Sequence, residues 1–288
     1  MRWKGRRKSQ NTVDKRRSTG GGGKRNTLGL GGLLIAIVLS FVLGGNPLQY
    51  LGLVNTVTNV TTESHRGSQY TPSAEEDELA EFVSVVQADT EDVWNKLFRE
   101  NNLTYKEPKL IMFTSATRSG CGNASAATGP FYCPADQTIY IDLSFYDELR
   151  NRFGAPGDFA MAYVIAHEVG HHVQHLLGTT DKVHGQSGRI SKKEYNKLSV
   201  KLELQADFYA GVWARHADEM KDIMESGDLE EAINAANAIG DDRLQKQAQG
   251  YVVPDAFTHG TSEQRMKWFR KGYETGDVRQ GNTFEAIQ

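Results

Sequence analysis

Asp158-Phe-Ala-Met-Ala-Tyr-Val-Ile-Ala-His-Glu-Val-Gly-His-His-Val-Gln-His-Leu-Leu-Gly178 is the stretch on which the reading of this chain turns. The run is too long for a strand and ends on a glycine suited to a helix C-terminal cap, so it predicts one buried helix. Inside it, His167-Glu-Val-Gly-His171 fits HExxH. Residues four apart share a helix face, so His167 and His171 can grip one metal ion with Glu168 beside it. Two imidazoles and a carboxylate midway along an apolar helix cost desolvation unless something satisfies them. A divalent cation, Zn2+ first, would do so; hydrogen-bonded core histidines are the bland alternative.

A catalytic zinc usually takes three protein ligands, so one is missing from this helix. His172 points about 100° away from His171 and is expected to pack. His175 lies about 12 Å along the axis from His167, too far to share an ion. Glu203-Leu-Gln-Ala-Asp207 places two acids four apart, followed by the uncharged run Phe208 to Trp213. Glu203 is therefore the expected third ligand, and Asp207 the acceptor for the free nitrogen of a ligand histidine. Asp181, His184 and His216 are held in reserve. His259 precedes a predicted helix start and could donate to an oxyanion, or be an ordinary loop histidine. His65 has no expected catalytic part.

Around this centre the 288 residues, 39% hydrophobic, suffice for one sizeable domain with appendages. Ser73-Ala-Glu-Glu76 is a capping box before Leu79, Phe82, Val83, Val86, Val93, Trp94 and Leu97 at helical spacing. Two more capping boxes, at Ser191 and Thr261, open helices expected to run to about His216 and beyond Thr261; residues 228–239 form another. Lys109–Thr114 reads as a short strand. Gln137–Leu143 alternates as a half-buried strand and, lying just before the metal helix, is either the wall of a cleft that pairs with extended substrate or a structural hairpin strand. The fold class is α+β, mostly helical, with a small sheet. Cys121 and Cys133, twelve apart and without a CxxC pair, predict a disulfide rather than zinc ligands.

The net charge of −3 hides a division: residues 1–27 carry +9 and the remainder −12. No charged residue occurs from Asn26 to Thr62, and residues 28–45 would make a helix about 27 Å long, enough for a thin hydrocarbon core. The expected organisation is a basic cytoplasmic tail (1–27), one transmembrane anchor (28–45), a flexible stalk (46–72) and an extracytoplasmic metal domain (73–288). A cleaved signal peptide competes, but no A-x-A-like site follows Leu43.

These residues resemble the neutral zinc metallopeptidase family of bacterial membrane-anchored proteins, which carry HEVGHH on one helix and an acid pair on the next. The resemblance rests on Ala88–Trp94, Cys121–Ala127, Gly129–Asp136, Arg152–Asp158, Glu203–Asp207 and His259–Arg265. It implies a zincin-like peptidase domain acting on proteins or peptides. More distantly, the acid pair is similar to that of gluzincins, which implies that Glu203 binds zinc and Asp207 orients a histidine. In that reading zinc lowers the pKa of its water toward about 7, and Glu168 takes the proton. Two rivals stand: a membrane-tethered scaffold whose zinc is structural, its fourth ligand His259 or a cysteine, and a nucleic-acid or anionic-lipid binder using the basic tail. The first reading has no nucleic-acid partner.

Overall fold

The computed structural model describes residues 1–17 and 71–286. Nine helices occur among them: α1 (Ala74–Glu100), α2 (Phe145–Asn151), α3 (Asp158–Leu176), α4 (Thr179–His184), α5 (Lys192–Lys221), α6 (Asp228–Ala238), α7 (Asp241–Gln249), α8 (Ser262–Thr275) and α9 (Thr283–Ala286). The strands are β1 (Thr12–Asp14), β2 (Lys109–Phe113), β3 (Ala116–Ser119), β4 (Gly122–Ser125), β5 (Phe131–Cys133) and β6 (Thr138–Asp142). All three expected capping boxes form: Ser73 with Glu76, Ser191 with Glu194, and Thr261 with Gln264. Each satisfies two backbone N–H groups that the first helical turn leaves unpaired.

Helix α3 is the axis of the domain. It packs against α1, α5 and α6, and α8 lies along α5. Phe159, Met161, Val164, Ile165, Val169 and Val173 are all buried on it. Burial of each such side chain stabilises by roughly 1.5–3 kcal/mol, which offsets the cost of placing ionisable groups on the same helix. Where α5 crosses α8 the backbones nearly touch: a Cβ on Gly211 would stand 2.0 Å from the Phe269 carbonyl oxygen, and one on Gly272 2.0 Å from that of Phe208.

The main sheet has the order β1-β2-β6-β5, parallel except that β5 runs against β6. The alternation read in 137–143 has a different cause from the one expected. All five residues of β6 are buried, because Ile139 and Ile141 enter the main core while Tyr140 joins a second cluster with Ile111, Phe113, Ala124 and Cys133. Strand β6 is paired on both edges by β2 and β5, so it cannot take up a substrate strand; the edges are β1 and, beside β6, β5. Cys121 and Cys133 form a disulfide, tying the β3–β4 hairpin to β5.

The expected division of the chain needs a larger correction at its start. Residues 1–17 are part of the domain rather than a separate tail. β1 lies parallel to β2, with Thr12 opposite Leu110 and Asp14 opposite Met112. Arg6 bonds Asp89 at 2.7 Å, Arg7 bonds Glu91 at 3.0 Å and Asp92 at 2.8 Å, and buried Arg16 bonds Asp14 and Asp77. Trp3 packs edge-on to Phe82. Charge counting saw a cationic block; the acids on α1 that complement it are distant in sequence and close in space. The expected anchor 28–45 and residues 46–70 of the expected stalk lie outside the described residues. Among the described residues no helix is long and apolar enough to cross a membrane.

Deleting residues 2–17 should strip β2 of one of its two neighbours and leave the buried carboxylates of Asp89 and Glu91 without Arg6 and Arg7. Breaking one buried pair costs about 3–5 kcal/mol, so a thermal melt of the variant should fall by about 10 °C or more. An unchanged melting temperature would mean that the arm contributes no stability.

Candidate metal centre

The HExxH helix and the acid-pair helix meet at one glycine. A Cβ on Gly170 would lie 2.9 Å from the Ala206 carbonyl oxygen and 3.0 Å from its Cα. The bare glycine lets α5 approach α3 closely, and this brings Glu203 and Asp207 level with His167. The Nε2 atoms of His167 and His171 are 3.2 Å apart. Glu203 places Oε2 3.2 Å from the first and Oε1 3.5 Å from the second. Tetrahedral zinc with bonds of about 2 Å spaces its donors about 3.3 Å apart, so the two imidazole nitrogens and the Glu203 carboxylate fit one ion.

Hydrogen bonding on the far side of each ring shows what these atoms carry. His167 Nδ1 lies 2.8 Å from Asp207 Oδ1, and His171 Nδ1 lies 2.9 Å from Gln174 Oε1. The Gln174 amide is oriented by donating Nε2–H to the Leu202 carbonyl at 2.6 Å. Both acceptors can only accept, so each Nδ1 holds a proton, and in the neutral ring each Nε2 presents a lone pair. Two lone pairs and a carboxylate thus converge on one point, an arrangement that repels itself without a cation. The surrounding charge agrees: with neutral imidazoles, the carboxylates of Glu168, Glu203 and Asp207 face one buried guanidinium, Arg265. The excess is two negative charges, which a divalent ion cancels.

Asp207 is fully buried. Its carboxylate accepts from His167 Nδ1, from Tyr163 Oη at 2.5 Å, and from Arg265 Nε at 2.8 Å and Nη2 at 2.9 Å. Burial pushes its carboxyl up, but Arg265 and then His167 outweigh that and hold it at about 2. Burial also pulls the His167 imidazolium down, against Asp207 and Glu203, which together raise it to about 10. The site is strongly attractive to positive charge. With the imidazoles protonated rather than metal-bound, Glu203 stays well below the ordinary carboxylate range in spite of burial, held there by the charges of His171 and His259 and by hydrogen bonds from His167 and His171. Glu168, which lies beside the three donors on the cleft wall, is pushed up by burial.

The remaining histidines fall out of the cluster. His172 faces away: its Nε2 lies 2.6 Å from the Lys106 carbonyl, so Nδ1 accepts from Tyr132 Oη at 3.0 Å. Burial pulls it down to about 4, so it stays neutral. His175 contacts Gln137, and His216 contacts the Gly276 carbonyl. His184 lines the cleft without joining the donors, and Asp181 stands 4.0 Å from His175. His259 also lines the cleft. Its Nδ1 is 3.2 Å from Asp241 Oδ1, and Asp241 Oδ2 takes the backbone N–H groups of Thr258, His259 and Gly260. Burial lowers His259, but Glu203 and Asp241 prevail and raise it, favouring the form with N–H on both nitrogens.

Tyr163, Gln174 and Arg265 were missed as site residues. Tyr163 stands four before His167 and Gln174 three after His171, spacings that put each on its ligand's face of α3. Arg265 carried no such signal, since its partner lies on another helix. The cleft, about 920 Å³, is walled by Phe131, Tyr132, Phe145 and Phe153 beside the donors.

The neutral zinc metallopeptidase model, described as "Putative neutral zinc metallopeptidase", matches residues 1–284, the arm included. This chain belongs to that family. It is 52% identical to uncharacterized protein YpfJ of Escherichia coli (strain K12) over 99% of both chains. It is 43% identical to uncharacterized protein Rv2575 of Mycobacterium tuberculosis (strain ATCC 25618 / H37Rv) over 63% of this chain and 64% of that one. No solved structure matches it. The family's description implies zinc, and the donor set of this member fits zinc.

Glu203→Ala should lower zinc affinity by at least about 100-fold, and Arg265→Met, which frees Asp207, by about 10–100-fold. Equilibrium competition against a chromophoric chelator reads both, and wild-type affinity in Glu203→Ala would remove it from the ligand set. Gly170→Ala should weaken zinc binding with its three ligands intact, because α5 must move outward.

Proposed function

We propose that this chain is a zinc-dependent endopeptidase active on proteins or peptides outside the cytoplasm. The observation that carries the reading is the convergence of His167, His171 and Glu203 within an open, aromatic-walled cleft with Glu168 alongside. Zinc held by those three residues would supply a Lewis acid that brings the pKa of a water ligand toward about 7. Glu168, raised by its burial, is suited to take a proton from the attacking water and return it to the leaving amine. His259, with Nδ1 bonded to Asp241, can direct Nε2–H at the charge that develops on the substrate carbonyl oxygen. The edge of β5 lies at the cleft, where an extended substrate can add as a strand.

The scaffold reading requires a fourth protein ligand. The cysteines are committed to their disulfide, and among the described residues the donor group at this point comprises His167, His171 and Glu203 without His259, which favours a site open to solvent and substrate. The disulfide also favours an oxidising compartment.

Full-length Glu168→Gln should bind zinc as wild type does and lose hydrolysis of an unfolded protein by a factor of 10³ or more, roughly the reach of general-base catalysis plus charge placement. Chelation should abolish wild-type cleavage and added zinc restore it. Undiminished cleavage by Glu168→Gln would disprove the assigned base, and the absence of cleavage by metal-loaded wild type would favour the scaffold.

A further inference from the structure

The apolar segment and the positive charge before it suggest an inward N-terminus and an outward domain, with the arm and the metal centre on opposite faces of a bilayer. The contacts of residues 1–17 rule against that separation. Arg2 N–H bonds the Ile223 carbonyl at 2.7 Å, Ser9 N–H that of Ser84 at 3.0 Å, and Lys15 N–H that of Met112 at 2.8 Å. In return, Leu110 N–H bonds the Asn11 carbonyl at 3.0 Å. These points lie on α1, on β2 and on the loop after α5. A hydrocarbon core about 30 Å thick cannot lie between atoms 3 Å apart.

The charges agree with docking. Arg2, Lys4, Arg6, Arg7, Lys8, Arg16 and Arg17 each have a carboxylate within ion-pair distance, on Asp222, Glu78, Asp89, Glu91, Glu81, Asp77 and Asp77 in turn. The positive-inside rule counts Lys and Arg near the ends of a span without regard to the partners they find in the folded domain. Here seven of the eight Lys and Arg side chains of residues 1–17 are matched within the fold, and Arg16 and the carboxylates of Asp89 and Glu91 are buried. The arm is a structural strand whose charge is matched chiefly by α1.

We infer that residues 1–17 and the metal-bearing domain occupy one compartment, with the arm docked as the outer strand of the sheet. The Cys121–Cys133 disulfide assigns that compartment to the oxidising side of the membrane. The inference is independent of whether the cleft hydrolyses peptides.

Two single cysteines test it in the full chain, each in cells expressing the native disulfide: Lys4→Cys on the exposed arm and Tyr251→Cys on the exposed α7–α8 connection. A membrane-impermeant maleimide applied to intact cells should label both. Labelling of Tyr251→Cys alone would place the arm on the other side and overturn the inference. Protection of both, with labelling only after lysis, would keep the shared compartment and overturn its assignment to the oxidising side. Docking itself is read by Thr12→Cys/Ser84→Cys, whose native hydroxyls lie 2.9 Å apart. After mild oxidation and protease cleavage between residues 18 and 70, the two fragments should stay joined until reduced. Fragments that separate without reductant would refute the docked arm.

Discussion

One carboxylate, that of Asp207, holds the centre together. It accepts hydrogen bonds from His167 and Tyr163 on α3 and from Arg265 on α8, while itself belonging to α5. Three helices therefore share a single buried anion. Because Arg265 supplies a permanent charge and two donors, the carboxylate stays ionised in a place where burial alone would neutralise it. An ionised Asp207 sets the proton of His167 on Nδ1 and turns the Nε2 lone pair toward His171 and Glu203. Without that choice of tautomer the three side chains would not offer a metal a common set of donors.

The packing around this group is what makes the geometry rigid. Gly170 admits α5 against α3, and Gly211 with Gly272 admits α8 against α5. The two crossings bring the three contributors to Asp207 within hydrogen-bond reach, and the buried aliphatic face of α3 supplies the free energy that makes an ionic cluster tolerable in the core. Stability and chemistry are coupled here: the helix contacts that hold the domain together are those that set donor spacings near 3.3 Å. The same coupling extends to the N-terminal arm, which closes the outer edge of the sheet by pairing with β2 and neutralises buried acids on α1.

How much of this was legible varied with the range of the interaction. Local signals were reliable: the three capping boxes, the long apolar run of α3 and the two main strands all form where side-chain pattern and hydrogen bonding between near neighbours dictate. Short elements such as β3, β4, α4 and α7 carry too little periodicity to be seen. The alternation in β6 was visible but ambiguous, because a strand between two apolar layers and a strand between core and water both alternate. Glu203 and Asp207 could be singled out because their own helix turns uncharged immediately after them. Arg265 could not, since one cation on an amphipathic helix ordinarily faces solvent.

The order of residues alone determined the chemistry on offer: imidazoles four apart, a carboxylate between them, an acid pair on a later helix and two cysteines at bridging distance, all consequences of helical and loop periodicity within a few turns. Tertiary structure decided which groups meet. It selected Glu203 over Asp181, His184 and His216, made β5 rather than β6 a free edge, and turned a basic segment into a strand of the sheet. The reason is physical: contacts across the fold depend on how helices cross and how distant charges find one another, and neither leaves a periodic trace along the chain.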